Sequence, residues 1–215
     1  MSEINDPPIN KKLGVSHYWG RGSFVDEGGV CGETMFFNLI HEATLKTECV
    51  ISGDKKKLYE AIAAIRKLCI DATKNNRKCI FIGNGGSSGI ASHMAVDWTK
   101  NGGIRAIALN DAPTLTCLAN DFGYSEVFAK QLEYYAQSGD VVIIVSSSGF
   151  SENILRSAEQ AFEMGLDLVT LSGMNPENVL RRKGNISLYV PAIDYGVVEI
   201  SHLSILHSVV SAKAH

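Results

Sequence analysis

Short apolar runs that alternate with helical patterns constrain this chain more than any other feature of its sequence. Such runs are largely apolar throughout rather than at every second residue, which is typical of strands buried on both faces of a parallel sheet. They lie at 78–82 (KCIFI), 104–109 (IRAIAL), 141–145 (VVIIV), 167–171 (DLVTL) and 187–190 (SLYV), with helical patterns near 88–101, 124–137, 152–165, 175–183 and 197–213. The sequence therefore predicts an α/β fold, a three-layer sandwich with a five-stranded parallel sheet and right-handed crossovers.

The chain before these runs is less regular. Residues 1–32 contain two adjacent prolines and six glycines with no sustained period, which predicts an irregular arm. Residues 33–51 (ETMFFNLIHEATLKTECVI) carry an apolar stripe and predict a helix. Ser52 or Asp54 can cap a second helix. Four apolar residues of that helix share one face: Leu58, Ile62, Ile65 and Leu68.

Composition narrows the class of protein. With 215 residues, 45% of them hydrophobic and 20% charged, the chain matches a soluble globular domain. A net charge of -3 argues against general binding to nucleic acid or anionic membranes. Its five cysteines form no CxxC pair, the N-terminus is unlike a secretory signal, and no apolar run reaches the roughly 18 residues that span a bilayer. These features predict a cytoplasmic protein with no membrane or nucleic-acid partner.

Two polar loops follow strands of the predicted sheet. Residues 83–88 (GNGGSS) come directly after KCIFI, and residues 146–151 (SSSGFS) come directly after VVIIV. A helical pattern follows each loop, so glycine backbone, serine hydroxyls and free N–H groups at a helix start can face an anion. Parallel strands place such loops at the same edge of the sheet. A ligand-free turn capped by Ser151 is the alternative, but two such loops together favour a phosphorylated small molecule bound between them.

The first loop does not fit a nucleotide-binding fingerprint. It reads G-x-G-x-x-S instead of G-x-G-x-x-G, and the following strand offers no acidic residue until Asp111. The G-K-[ST] sequence of a phosphate-binding P-loop is absent as well. We therefore expect no nucleotide cofactor.

Two pairs of titratable residues share helix faces. His93 and Asp97 are four residues apart on the helix after the first loop. Glu199 and His207 are eight residues apart on the last helix, separated by about 80° around its axis. Two helices that each offer a carboxylate and an imidazole can form a metal site or an acid–base pair. From spacing alone, a packed core histidine is the more common role for His207, which lies in the apolar run LSILHSVV.

Four motifs over about residues 54–212 together resemble the sugar isomerase (SIS) domain, and within it the phosphoheptose isomerases. They are GNGGSS at 83–88, AIALNDAPTLTCLANDFGY at 106–124, SSSGFSEN at 146–153 and HLSILH at 202–207. The resemblance implies a flavodoxin-like core with added N-terminal helices. Residues 1–51 would form an N-terminal arm and helix, and residues 52–215 the SIS domain. It also implies a homotetramer with active sites between subunits, serving heptose synthesis for lipopolysaccharide or another glycan.

The implied reaction interconverts sedoheptulose 7-phosphate and D-glycero-heptose 7-phosphate by proton transfer between C1 and C2 through an enediol. By this resemblance Asp97 is the base and His207 its acid partner. A single zinc ion is implied, with His93, Asp97, Glu199 and His207 as ligands. The residues implied to bind substrate are Asn84, Gly85, Gly86, Ser87, Asn110, Asp111, Ser146, Ser147, Ser148, Ser151 and Glu199. His202 matches a second histidine of the family that has a structural role.

The chain departs from the family pattern at several positions. Aspartate at 97 is one methylene shorter than the family's glutamate, and Glu199 replaces a glutamine. Gly196-Val197 replace a usual Asp-Arg pair, and residues 99–103 lack the arginine that follows the first catalytic helix. A catalytically silent SIS protein, which binds sugar phosphate as an adaptor or regulator, is therefore the alternative. Retention of four acid–base or ligand residues favours the isomerase.

Overall fold

A seven-stranded sheet forms the centre of the structure, a computed structural model that describes residues 32–211. The strands are β1 (Glu48–Ile51), β2 (Asp54–Lys56), β3 (Cys79–Gly83), β4 (Ala106–Ala108), β5 (Val141–Ser146), β6 (Asp167–Gly173) and β7 (Ile186–Val190). Their spatial order is β2-β1-β7-β6-β5-β3-β4. The five strands from β3 to β7 all run parallel to one another. The predicted α/β fold with five parallel strands is confirmed.

An antiparallel hairpin extends this sheet at one edge and corrects the sequence prediction there. β1 pairs antiparallel with β7 and with β2, so the end of the predicted helix 33–51 is a strand. Ser52 and Gly53 form the two-residue turn between β1 and β2, with φ values of 49° and 90°. Positive φ at both central residues is what a type I′ hairpin turn requires. Ser52 and Asp54 therefore do not cap the next helix, which is capped by Lys57.

Seven α-helices are found within residues 32–211. They are α1 (Gly32–Leu45), α2 (Leu58–Lys74), α3 (Gly85–Lys100), α4 (Ala112–Phe122), α5 (Val127–Tyr135), α6 (Glu152–Glu163) and α7 (Tyr195–Ser211). α4 was not predicted; it begins after Asp111, whose side chain accepts a hydrogen bond from the Thr114 N–H. The predicted helix 124–137 begins with a 3-10 turn at Tyr124–Glu126. The predicted helix 175–183 is wrong, since only a 3-10 turn at Leu180–Arg182 forms there.

Two hydrophobic clusters cover the two faces of the sheet. α2, α3 and α7 pack on one face against alternate strand residues such as Phe81, Ile143 and Leu171. α4, α5 and α6 pack on the other face against residues such as Ile80 and Ile144. Alternate strand residues supply both clusters because successive side chains point to opposite faces. The result is the predicted three-layer sandwich, which brings α3 and α7 together in one layer.

The described residues from Phe36 onward form one compact unit. The boundary that the sequence suggests at residue 52 coincides with the turn of the β1–β2 hairpin. The predicted irregular arm at 1–32 lies almost entirely outside the described residues. Within the described part of the chain, every helix is too short or too polar to cross a lipid bilayer.

Candidate active site

The two polar loops are neighbours at one edge of the sheet. β3 ends at Gly83 directly beside Val145 of β5, and each strand runs through a short loop into a helix. We call residues 83–88 the glycine loop and residues 146–151 the serine loop. As predicted, both loops lie beyond the carboxyl ends of adjacent parallel strands. They bring the first turns of α3 and α6 to the same edge.

At two glycines of the glycine loop, neighbouring atoms lie too close to leave room for a side chain. A Cβ atom on Gly83 would lie 2.6 Å from the backbone carbonyl carbon of Ser87, and one on Gly86 would lie 2.5 Å from Glu199 Oε2. The carboxylate of Glu199, carried by α7, thus lies over the first turn of α3. A negative charge is favourable there because the free N–H groups of a helix start carry partial positive charge. The structure therefore brings Glu199 to the predicted ligand-binding edge.

Three predicted site residues on α3 and α7 are linked through His207. Nε2 of His93 lies 3.2 Å from Nε2 of His207, and Nδ1 of His207 lies 3.3 Å from Oδ2 of Asp97. The two helices are locked together nearby by Trp98, whose indole N–H donates to the Leu206 carbonyl at 3.1 Å. His207 is therefore part of a polar group and not a packed core histidine.

Asp97 is positioned to orient His207. Its Oδ2 faces the Nδ1 side of the imidazole, and its Oδ1 accepts a hydrogen bond from Asn101, the residue that directly follows α3. The side chain of His207 is 39% exposed and that of Asp97 only 16%. A carboxylate on Nδ1 fixes the ring and its tautomer, so that Nε2 can exchange a proton or bind a metal. Asn101 was not predicted from the sequence, although its i, i+4 spacing from Asp97 is a usable signal.

The four predicted metal ligands do not all converge. Among the residues with described side chains, no three His, Cys, Asp or Glu residues are grouped so that they could hold a metal ion. His93 and His207 present their Nε2 atoms to each other, Asp97 lies on the far side of the His207 ring, and Glu199 lies over the glycine loop. The arrangement therefore offers a metal ion two adjacent imidazole nitrogens instead of the four predicted ligands.

The four serines of the serine loop that were predicted to bind substrate differ in their hydrogen bonds and burial. Ser146 Oγ accepts from the Gly149 N–H at 3.2 Å, and Ser147 Oγ is enclosed with no hydrogen-bond partner among the described residues. Ser148 is half-buried, with the Phe150 N–H 3.5 Å from its Oγ. Ser151 caps α6 through its backbone while its hydroxyl makes no capping bond. Ser148 and Ser151 are thus the hydroxyls best placed for a ligand, and Ser87 is buried at the start of α3.

A side-chain network joins the two loops. Asn84 and Asn153 form a reciprocal amide pair, with Nδ2···Oδ1 distances of 2.9 and 3.0 Å. The hydroxyl of Tyr124 also donates to Asn84 Oδ1 at 3.2 Å. We call these three residues the amide clamp. Sequence reasoning assigned Asn84 to substrate binding and missed Asn153 and Tyr124, although both lie in the motifs SSSGFSEN and NDFGY.

Asn110 and Asp111, two further predicted binding residues, hold the turn after β4. Asn110 Nδ2 donates to the carbonyl oxygen and the hydroxyl of Ser88 at 3.0 and 2.8 Å, and to Ser92 Oγ at 2.5 Å. Asp111 accepts from the Thr114 N–H at 3.1 Å and caps α4. Asn110 therefore ties this turn to α3, the helix that carries His93. Contact of either residue with substrate stays a prediction.

His202 links α7 to the serine loop from inside the protein. Its Nε2 lies 3.1 Å from the carbonyl oxygen of Ser172, and the next N–H, that of Gly173, donates to the Ser147 carbonyl at 3.0 Å. The side chain is fully buried, which lowers the pKa of His202 to about 4 although the hydrogen bond to Ser172 acts in the opposite direction. The imidazole is therefore neutral and donates through Nε2–H, as a structural role requires.

Comparison with known proteins gives a consistent set of relatives. The family model described as SIS domain matches residues 47–173, which include both loops. A phosphoheptose isomerase of Helicobacter pylori (strain ATCC 700392 / 26695) is 33% identical over 179 residues, covering 80% of this chain and 93% of the relative. The solved phosphoheptose isomerase of Neisseria gonorrhoeae matches with a TM-score of 0.70 and 26% identity, over 82% of this chain and 92% of that one. The enzyme of Francisella tularensis matches with a TM-score of 0.70 and 28% identity, over 81% and 90%.

Proposed function

Because the chain belongs to the SIS domain family and, within it, to the phosphoheptose isomerases, we propose that it interconverts sedoheptulose 7-phosphate and D-glycero-heptose 7-phosphate. The observation that carries this proposal is the contact of His207 with His93 and Asp97, together with two polar loops at one edge of the sheet. The reaction requires a binding site for the phosphate, which lies far from C1 and C2, and a group that moves a proton between these two carbons. The serine loop is proposed for the first role and His207 for the second.

The phosphate is proposed to bind at the serine loop. Ser148 and Ser151 present hydroxyls at the start of α6, where the N-terminal N–H groups of a twelve-residue helix add partial positive charge. Neutral hydroxyl and N–H donors can satisfy phosphate oxygens without a lysine or arginine. The carboxylate of Glu199 lies over the start of α3 and would repel an anion there. The serine loop is therefore the favoured end of the site for the phosphate.

Proton transfer is proposed to use Nε2 of His207. In the ketose-to-aldose direction, a proton leaves C1, its electron pair forms the C1–C2 double bond of the enediol, and the C2 oxygen gains a proton. Return of a proton to C2, with loss of the O1 proton, completes the aldose. His207 is the more exposed of the pair, and both oxygens of Asp97 already have partners. Asp97 then acts as the residue that positions the base, a different division of roles from the one the resemblance implies.

A coupled assay with five-, six- and seven-carbon ketose phosphates tests the proposed function. We expect aldose formation to be fastest with the seven-carbon substrate. Binding of sugar phosphate without turnover of any of the three would instead support the silent adaptor or regulator. The retained contact between His207 and Asp97 favours the enzyme.

Ser148→Ala is expected to raise the KM for the seven-carbon ketose phosphate about tenfold with a much smaller change in kcat. The phosphate lies far from C1 and C2, so its contacts stabilise the ground state and the transition state alike. Steady-state kinetics of the variant measure this split. Ser204→Ala is the matched control, because Ser204 is exposed on α7 and its hydroxyl donates only to the Ile200 carbonyl. An unchanged KM in Ser148→Ala would contradict the phosphate placement.

Zinc binding is a further proposal, supported by the two facing imidazoles. Two nitrogens on one tetrahedral zinc ion are about 3.3 Å apart at the usual Zn–N distance, close to the 3.2 Å between the Nε2 atoms of His93 and His207. Asp97 on Nδ1 of His207 matches the carboxylate that commonly orients a zinc-binding histidine. Zinc held there would polarise the oxygens of the substrate. Because the same Nε2 of His207 cannot bind zinc and carry the proton at once, zinc binding here and proton transfer by this atom are alternative proposals, and the zinc titration decides between them.

Calorimetric titration of chelator-treated protein with zinc chloride tests this proposal without an activity assay. We expect one ion per chain in the parent protein and loss of that binding in His93→Ala. His41→Ala, at an exposed position on α1, is the matched control. Binding that survives in His93→Ala would place the zinc elsewhere, and no binding by the parent protein would leave His207 to proton transfer alone.

Assembly and cellular location are proposed as well. α1 exposes apolar side chains at Phe37, Leu39 and Leu45, which suits contact with further copies, and we propose a homotetramer with active sites between subunits. Sedimentation at micromolar concentration should give four times the mass of one chain. A cytoplasmic location is proposed because the four cysteines within the described residues are free thiols, as expected in a reducing compartment. Cell fractionation measures it.

A further inference from the structure

The bonding of Asn84 restricts what this residue can offer a substrate. Its Oδ1 accepts from both Asn153 Nδ2 and the Tyr124 hydroxyl, which uses both lone pairs. Its Nδ2 donates one hydrogen to Asn153 Oδ1. Among the residues that the structure describes, the amide therefore retains one N–H without a partner and no acceptor site without one. Asn84 can contact a substrate oxygen only as a donor.

The amide clamp joins the starts of the two helices that frame the site. Asn84 is the residue that caps α3, and Asn153 is the second residue of α6. α3 carries His93 and Asp97, whereas α6 begins directly after the serine loop. Because the two residues are 69 positions apart in sequence, the spacing of the two helix starts depends on tertiary contacts, namely the pairing of β3 with β5 and this amide pair.

Tyr124, the third residue of the amide clamp, connects the turn before α5 to the starts of α3 and α6. Tyr124 lies in the 3-10 turn Tyr124–Glu126 and is 58% exposed. The next residues of that turn are tied to α6 as well, through an ion pair between Glu126 and Arg156 at 3.4 Å. The hydroxyl of Tyr124 thus reaches Asn84 from the solvent side, while Asn153 holds it from the interior with only 3% exposure.

We propose that the amide clamp sets the distance between the phosphate-binding end and the proton-transferring end of the site, and thereby selects the length of the ketose phosphate. Asn153 is then a positioning residue and Tyr124 its solvent-side partner. A phosphate held at the serine loop places C1 and C2 at a distance fixed by the carbon chain. Only a rigid spacing between α3 and α6 can turn that distance into selectivity. This inference rests on the proposed isomerase function.

The asparagine pair also has a purely structural explanation. Asn153 is buried and Asn84 is half-buried, so their amides satisfy each other's hydrogen bonds and would stabilise the loops whatever the protein binds. That explanation predicts a loss of stability with equal effects on all substrates. The proposal predicts unequal effects on substrates of different length, and it predicts that Asn153 and Tyr124 act through the same amide.

The test compares Asn153→Leu, Tyr124→Phe and their double variant by kcat/KM on ketose phosphates of different length. Asn153→Leu keeps the branching of the side chain and removes both hydrogen bonds to Asn84. Because each hydrogen bond makes a modest net contribution, we expect kcat/KM for the seven-carbon substrate to fall about tenfold when both are lost. It should fall at least threefold less for the shortest ketose phosphate that the parent protein turns over. Tyr124→Phe should act in the same direction, by about threefold.

The double variant should lose less than the product of the two single losses, because Tyr124 holds the amide of Asn84 less firmly once Asn153 no longer orients it. Tyr134→Phe is the matched control, since Tyr134 is exposed on α5. Equal losses for all substrate lengths, or additive losses in the double variant, would overturn the proposal. If circular dichroism shows that Asn153→Leu does not fold, the test rests on Tyr124→Phe. Values of kcat/KM for Tyr124→Phe that equal those of Tyr134→Phe would then overturn the proposal. A parent protein with no activity on any ketose phosphate would instead remove the proposed function.

Discussion

Replacement of His207 by alanine is expected to lower the turnover number at least a hundredfold while the protein stays folded. A positioned acid–base group typically contributes about 10²–10⁴ in rate, and His207 is the imidazole that reaches both His93 and Asp97. Asp97→Asn should have a loss of similar size, because asparagine can turn its N–H₂ group toward Nδ1 and favour the wrong tautomer. Single-turnover kinetics with the seven-carbon ketose phosphate measure the chemical step directly.

Two comparisons separate this role from a structural one. His41→Ala, on the surface of α1, should retain the turnover number of the parent protein. Added imidazole should partly restore His207→Ala, since a free base can enter the space left by a side chain that is 39% exposed. Near-normal turnover in both His207→Ala and Asp97→Asn would end the mechanism proposed above and make the adaptor the leading function.

Acid should destabilise the folded protein through His202. Its pKa is lowered from 6.5 to about 4 by burial, so between these values the unfolded chain binds a proton that the folded chain does not. The stability contributed by the neutral imidazole is therefore complete above about pH 6.5 and is lost as the pH falls toward about 4. A shift of this size corresponds to roughly 3 kcal/mol in the free energy of unfolding. The free energy of unfolding measured with urea should be lower by roughly 2 kcal/mol at about pH 5 than at about pH 7.

His202→Gln isolates this contribution from the carboxylates that titrate in the same range. Glutamine can still donate to the Ser172 carbonyl, which His202 contacts at 3.1 Å, but it does not ionise. Measured at one fixed protein concentration, the variant should be less stable at neutral pH and depend less on pH than the parent protein. Identical pH profiles for the two proteins would show that His202 is protonated in the folded state, contrary to its burial.

The parts of the fold that were predicted correctly are those in which local pattern and burial agree. β3 and β5 are buried at every position, so their apolar runs could be recognised directly. The β1–β2 hairpin was missed because Ser52 has a positive φ, which is unusual for serine, and the same residue is a common helix cap. The segment 175–183 does not form a helix because Asn178 donates to the Gly173 and Asn175 carbonyls and holds an irregular turn.

The candidate site was predictable as a set of residues and not as a set of contacts. The loops and helices that carry His93, Asp97 and His207 followed from motifs, and the structure brings these residues together. Their pairing was not visible, because the orientation of Asp97 toward Nδ1 depends on how α3 packs against α7. The partners Asn84 and Asn153 were likewise hidden by their separation along the chain. Spacing rules describe one element at a time, whereas these contacts join two.

The two edges of the sheet limit how copies of this protein can associate. At one edge β2 consists of Asp54, Lys55 and Lys56, all exposed, and at the other edge β4 is only three residues long. Charged and short edge strands discourage the addition of a further strand from another chain, which is the usual start of aggregation in β proteins. The assembly proposed above would then use helices and loops, and the edges of the sheet would not act as a template for misfolding.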